Sequence, residues 1–248
     1  MPATDTTGSG RRIAIVGAGR LGCALASALR AAAHPLLEAV GPLGRGADAA
    51  GCDAALLCVP DREIAAAAAV LAPGVIAGHC SGALGLEPLA PRECFSLHPL
   101  MTFTRREAGV AAASLHGVTA AIDASSDRAL ALAEELARSL AITPLRIARE
   151  DRVAYHAAAC IASNFLVTLE AAAERLGASA GLSREMLAPL VRQTVENWLA
   201  LGPKRALTGP VARGDAEIVA RQRATISARA PDLLELFDAL VAATGELT

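Results

Sequence analysis

Short unbroken apolar runs alternate with alanine-rich helical stretches over the first 150 or so residues, after which only the helical period remains. Arg11-Arg12 lead into Ile13-Ala14-Ile15-Val16, which ends at Gly17. Its length and β-branching predict a buried parallel strand. Leu21 to Ala33 follows with strong helix formers, and His34-Pro35 ends it. Leu36 to Val40, closed by Gly41-Pro42, predicts a second strand, and Ala54 to Val59, stopped by Pro60, a third. Asp61 is placed to cap a helix over Arg62–Leu71. Further strands are expected at Val75–Ala77, Phe95–Leu97, Val118–Ile122 and Leu145–Ile147, with a helix from Ser126 or Asp127 through Leu140.

Beyond Asp151 the pattern predicts four helices, near 152–176, 184–201, 215–229 and 231–243. Gly177 is expected as the C-cap of the first, and Pro231 as a first-turn residue of the last. The fold class is therefore α/β. A doubly wound, mostly parallel sheet occupies residues 11–148, and an all-helical domain occupies 149–248. Residues 1–10 are small and polar and read as a disordered N-terminus rather than a signal peptide.

Composition narrows the function classes. The chain has 248 residues with 59 alanines, a single lysine (Lys204), 53% hydrophobic and 2% aromatic residues, and a net charge of -2. That balance excludes a duplex-gripping nucleic-acid binder and a disordered chain. The core must be built from Ala, Leu, Val and Ile. The weakly apolar stretch Ile64–Ala77 is mostly alanine and is cut by Pro73-Gly74, so no membrane span is expected. Cysteines 23, 52, 58, 80, 94 and 160 form no CxxC pair and read as thiols of a cytoplasmic protein. Five scattered histidines give no metal-site spacing.

Gly17-Ala18-Gly19-Arg20-Leu21-Gly22 is a GxGxxG turn between a strand and a helix. The first glycine makes the tight turn, the second admits a pyrophosphate to the backbone, and the third lets helix pack on strand. The helix N-terminus then offers free N–H groups and partial positive charge to the phosphates. A methyltransferase also uses a Gly-rich first turn, but the helical C-terminal domain argues for a dinucleotide. Val59 and Pro60, at the end of the third strand, and Ser81, after the fourth, are further expected cofactor contacts. Glu38 lies too early to reach a ribose 2′-OH, whereas Arg45 lies just past the second strand, where a 2′-phosphate would sit. NADP(H) is therefore expected over NAD(H). Only about 12 residues separate Gly41 from the third strand, which predicts an abbreviated adenosine side.

The segments GAGRLG (17–22), LLCVPD (56–61), HCSGA (79–83), SLHPLMTF (96–103), YHAAACIASNF (155–165), TVENW (194–198) and LTGPVARGD (207–215) together carry a family resemblance. The chain resembles bacterial Rossmann-like oxidoreductases with a helical C-terminal domain of unknown function. That family is related to pyrroline-5-carboxylate reductase, ketopantoate reductase and 6-phosphogluconate dehydrogenase. The resemblance implies a cofactor domain followed by helices that dimerise and complete the active site between the domains. It implies a reductase class rather than a substrate.

Reduction of a ketone or imine needs a hydride donor, an acid near the atom that gains charge, and an anchor for the rest of the substrate. Related ketoacid reductases place lysine and asparagine on the first helix after the cofactor domain; here Lys204 lies elsewhere. His156, Cys160 and Asn164, spaced by four, form one slanting stripe on that helix. His156 is the expected acid and Asn164 the expected polariser or substrate orienter, the alternative being a polar pair that packs helices at a domain interface, with Cys160 as filler. His98 is a second candidate acid, or alternatively a loop hydrogen-bonder before Pro99. Arg213 is a candidate carboxylate anchor and Thr194 and Asn197 are candidate substrate or dimer contacts, while Asp215 reads as an N-cap. The function expected is NADPH-dependent reduction of a small carboxylate-bearing ketone or imine. The alternative is a non-catalytic NAD(P)-binding or sensor protein, motivated by the missing lysine and the shortened adenosine side. The first C-terminal helix, about 37 Å long, is expected to pack across a two-fold axis in a homodimer.

Overall fold

The computed structural model describes residues 10–104 and 115–248. The expected disordered N-terminus falls, but for Gly10, outside the described residues. The chain divides into two compact units, Met1–Ile161 and Ala162–Thr248.

The first unit is built on a seven-stranded sheet in the order β2-β1-β3-β4-β5-β6-β7. The strands are β1 (Arg11–Val16), β2 (Leu37–Leu43), β3 (Ala54–Leu57), β4 (Ile76–His79), β5 (Cys94–Pro99), β6 (Thr119–Ala124) and β7 (Thr143–Arg146). All neighbours pair in parallel except β5 and β6, which are antiparallel, with His98 opposite Ala121. β2 and β3 flank β1 on opposite sides, so the strand order reverses at β1, which is where such sheets open a ligand-binding crevice at the C-terminal strand ends.

Pleating sends alternate residues to opposite faces. Ile13 and Ile15 of β1 join one cluster with Leu25 and Leu29 of helix α1 (Arg20–Ala32) and Leu132 and Leu136 of α2 (Asp127–Ser139). Ala14 and Val16 join the other cluster with Ile64 and Leu71. Phe95 fills the space over Gly78, where a Cβ would stand 2.4 Å from its ring.

Local details differ from expectation where tertiary contacts outcompete local rules. The expected helix after Pro60 is a 3-10 turn (Asp61–Glu63) and a short α-helix (Ile64–Ala69), and Asp61 makes no capping hydrogen bond. Ser126 does cap α2, accepting from the Ala129 amide at 3.1 Å. β2 runs through Gly41-Pro42 to Leu43, and residues 44–53 carry no helix.

The helix beginning at Arg152 is α-helical to Cys160, π-helical over Ile161–Phe165, and α-helical again over Leu166–Ala178. Gly177 lies inside it rather than capping it. The segment Arg149–Ala178 is long and apolar enough to cross a membrane by length and composition. The second unit adds helices at Arg184–Leu201, Pro203–Ala206, Ala216–Arg229 and Leu234–Gly245. Only Ile226 and Ala230 are buried in that unit.

Candidate functional site

The turn after β1 needs its glycines for separate reasons. Gly17 has φ +112°, and a Cβ there would stand 2.4 Å from the Cys58 carbonyl oxygen. A Cβ on Gly22 would meet the Gly17 carbonyl oxygen at 1.9 Å, so α1 could not lie against the turn. A Cβ on Gly19 would meet no protein atom within 4 Å. Gly19 instead lines a cavity of about 460 Å³, with Arg20, Leu21, Cys58, Val59 and Asp61 among the other lining residues. The bare backbone at the helix N-terminus faces this space, so the turn fits a pyrophosphate. A second cavity, about 640 Å³, lies wholly in the helical unit near Leu176 and Phe237. It has the larger volume but no Gly-rich turn and no strand end, so the cofactor assignment goes to the first.

Arg45 stands two residues past the end of β2, and its guanidinium holds Glu63 at 2.8 Å. Cys58 and Cys80, which follow paired positions of β3 and β4, bring their sulfurs to 3.9 Å at the cavity wall.

Ser81 is buried and its hydroxyl is already committed. It donates to the Asp61 carboxylate at 2.8 Å and accepts from the Leu84 amide at 3.0 Å and the Ala83 amide at 3.3 Å. His79 is buried beneath it, with one ring nitrogen 2.8 Å from the Gly85 carbonyl and the other accepting from the Ser81 amide at 3.1 Å. Its tautomer follows: Nε2 carries the proton. Burial holds its pKa below the usual histidine value, partly offset by the Gly85 hydrogen bond.

His98, at the end of β5, meets the helix Arg152–Cys160 (α3) edge on. Its Nδ1 lies 2.8 Å from the Tyr155 hydroxyl, and its ring centroid lies 6.0 Å from that of His156. The two imidazoles close over Gly82, where a Cβ would stand 2.7 Å from His156 and 2.8 Å from His98. Burial lowers the His98 pKa to about 4, and the neighbouring His156 and Arg152 act in the same direction. Arg152 itself is buried, with Nη2 bonded to the Ser96 hydroxyl and no partner among the described residues for Nε or Nη1.

Residues 118–244 match the family model described as "Domain of unknown function (DUF2520)". The chain belongs to the DUF2520 family. Three solved structures share its fold over nearly the whole length. A provisionally assigned NADP oxidoreductase of Bacteroides fragilis matches at TM-score 0.79 and 20% identity, covering 96% of this chain and 98% of its own. Protein TM1727 of Thermotoga maritima matches at 0.72 and 25%, covering 95% and 97%. The pyrroline carboxylate reductase of Plasmodium falciparum, solved with NADP bound, matches at 0.61 and 15%, covering 95% and 98%. No curated protein matches. These likenesses make the Rossmann-type sheet with its helical C-terminal domain the fold of this DUF2520 protein.

The remaining sequence candidates lie in the helical unit. Asn164 falls within the π-helical turn, so the α-helical spacing expected from Cys160 to Asn164 does not hold there. On helix Arg184–Leu201, Thr194 donates to the Leu190 carbonyl at 2.9 Å and Asn197 accepts from Gln193 at 2.9 Å. Arg213 pairs with Asp215 at 3.1 Å, and Asp215 occupies an N-cap position without making the side-chain bond expected of it. Sequence reasoning missed Tyr155, Arg152 and the Asp61–Ser81 link. Tyr155 carried one usable signal: it is the only tyrosine in the chain and precedes His156.

Proposed function

We propose that this DUF2520 protein is an NADP-dependent oxidoreductase that reduces a small carboxylate-bearing ketone or imine. One observation carries the reading: the open Gly19 backbone and the β3 and β4 ends line one cavity, and His98 of β5 and His156 of α3 close over Gly82, two residues past Cys80 of that cavity. The cofactor would supply the hydride. Gly17, Ala18, Gly19, Arg20, Leu21 and Gly22 would hold its pyrophosphate, with Val59 and Pro60 beside it. Arg45 would exchange its contact with Glu63 for a 2′-phosphate. His156 would donate the proton to the atom that takes the hydride's charge. The fold shared with a protein solved with NADP bound supports this class. The six free thiols fit a reducing compartment, the cytoplasm. The exposed apolar helices of the second unit favour a homodimer over a lipid-bound or monomeric state.

Fluorescence titration with NADPH and NADH, followed by NADPH oxidation against a panel of 2-oxo acids and cyclic imines, tests the reading. Binding of NADPH ahead of NADH, lost in Arg45→Ala, is expected together with turnover of at least one substrate. Failure of both nucleotides to bind below millimolar would overturn it. Binding without turnover would favour a sensor. Turnover that survives His156→Ala would remove the acid assignment.

A further inference from the structure

The Tyr155 hydroxyl has one proton and two acceptors within reach. His98 Nδ1 is at 2.8 Å and the His98 carbonyl oxygen at 3.5 Å. A hydrogen bond weakens steeply at the longer distance, so the stronger bond open to the proton is the one to Nδ1. Burial raises the Tyr155 pKa, so the hydroxyl keeps that proton at neutral pH. An imidazole that accepts at Nδ1 and is neutral must carry its own proton on Nε2.

The charges around His98 favour the neutral ring. His156 and Arg152 face it from α3 and oppose a second proton, and His79 of β4 adds to them. Only Asp61, from the loop after β3, acts the other way. Nε2 is directed at Gly82, where a Cβ would lie 2.9 Å from it. The edge-on packing of Tyr155 and His98, with ring planes at 87°, holds that direction.

We propose that Tyr155 is a positioning residue that locks His98 as the neutral Nε2–H tautomer, making His98 the hydrogen-bond donor that polarises the substrate's carbonyl oxygen or imine nitrogen beside Gly82. His98 and His156 then divide the work. The first gives a fixed donor that needs no protonation event, and the second delivers the proton. Neutral imidazole serves as an electrophile where nearby positive charge keeps the ring from protonating. Here burial does most to keep the ring neutral, and the positive charge comes from His156 and from Arg152, which has two guanidinium nitrogens unpaired among the described residues.

The catalytic half of this inference rests on the oxidoreductase reading; the tautomer does not. The test is nitrogen-15 NMR of the histidine rings in the full chain, without any ligand, from pH 5 to 8. The expected spectrum shows His98 neutral across the range, with its proton on Nε2. In Tyr155→Phe, which keeps the ring and removes only the hydroxyl, the Nε2–H form should lose its dominance. A His98 protonated on Nδ1 in the wild type, or a tautomer unchanged by Tyr155→Phe, would overturn the proposal whether or not a substrate is known. Where NADPH turnover is found, His98→Ala should lower kcat by about a hundredfold. Tyr155→Phe should lower kcat about tenfold with KM nearly unchanged. An unchanged kcat in Tyr155→Phe alongside the expected NMR shift would reject the catalytic role while leaving the oxidoreductase reading standing.

Discussion

The Ser81 hydroxyl donates to the Asp61 carboxylate at 2.8 Å and so ties the loop after β4 to the loop after β3 beside the cavity that Asp61 lines. The same oxygen accepts from the Ala83 and Leu84 amides. Ser81→Ala removes all three bonds and leaves two loop amides without a partner. The expected loss is about 2 kcal/mol of stability, read from the midpoint of urea unfolding. NADPH affinity should fall with it, because the freed Asp61 loop lines the cavity. A Ser81→Ala protein with wild-type midpoint and affinity would show that the link is incidental.

Two glycines of the same turn make opposite predictions. Gly22→Ala puts a Cβ 1.9 Å from a backbone oxygen that has no side-chain freedom to yield. It should cost about 3 kcal/mol or more and abolish nucleotide binding. Gly19→Ala meets nothing in the protein. Its thermal midpoint should match the wild type, while NADPH affinity drops by about tenfold or more, on the order of 1.4 kcal/mol. Thermal unfolding and fluorescence titration on the pair separate a structural glycine from a ligand-facing one. A Gly19→Ala protein that binds normally would remove the pyrophosphate from this turn.

Stability should decline as the pH falls below the ordinary histidine range. His79 and His98 both have lowered pKa values in the folded protein, chiefly through burial, with His98 at about 4. In the unfolded chain both take up a proton near the ordinary histidine value of 6.5. Between the two values the unfolded state binds more protons, so stability rises with pH there and is lost on acidification. For His98 the window runs from 6.5 down to about 4, and the loss is at most on the order of 3 kcal/mol. Urea midpoints at pH 7.5, 6 and 5 should fall steadily, and His98→Asn should flatten the profile. A flat wild-type profile would contradict the buried neutral state of both rings.

The strands and the glycine turn were legible because their signals are local. β-Branched runs, prolines at strand ends and three spaced glycines read the same in the chain as in the fold. The doubly wound sheet and helical domain followed from those signals. What stayed hidden depends on partners distant in sequence. Asp61 obeys the N-cap rule by composition, but it lies inside the 3-10 turn, past the N-cap position at Pro60, and its carboxylate accepts from Ser81, twenty residues on. Arg152 looks like an ordinary first-turn arginine until α3 docks on β5 and buries it against Ser96. The antiparallel direction of β6 left no trace in the chain, because apolar periodicity carries no strand direction. The π-helical turn at Ile161–Phe165 has no residue signature, so the expected stripe through Asn164 carried an α-helical spacing that fails there.

The helical unit asks for a partner. It spans Ala162–Thr248 yet buries only Ile226 and Ala230, too little core for a stable unit of that size. Large apolar side chains stand open along two of its helices: Val167 is 69% exposed, Leu190 65%, Trp198 54% and Leu199 70%. Scattered exposed apolar residues are ordinary in monomers, but this many large ones on two helices with so little core favour a covering partner. A second copy of the chain is the expected cover, because a homodimer presents the same apolar surface twice about a two-fold axis. Sedimentation at micromolar concentration should give a dimer. Leu190→Glu combined with Leu199→Glu should shift it to monomer and lower the thermal midpoint. A wild type that sediments as a monomer would refute the dimer, and co-flotation of that monomer with liposomes would assign the exposed face to lipid instead.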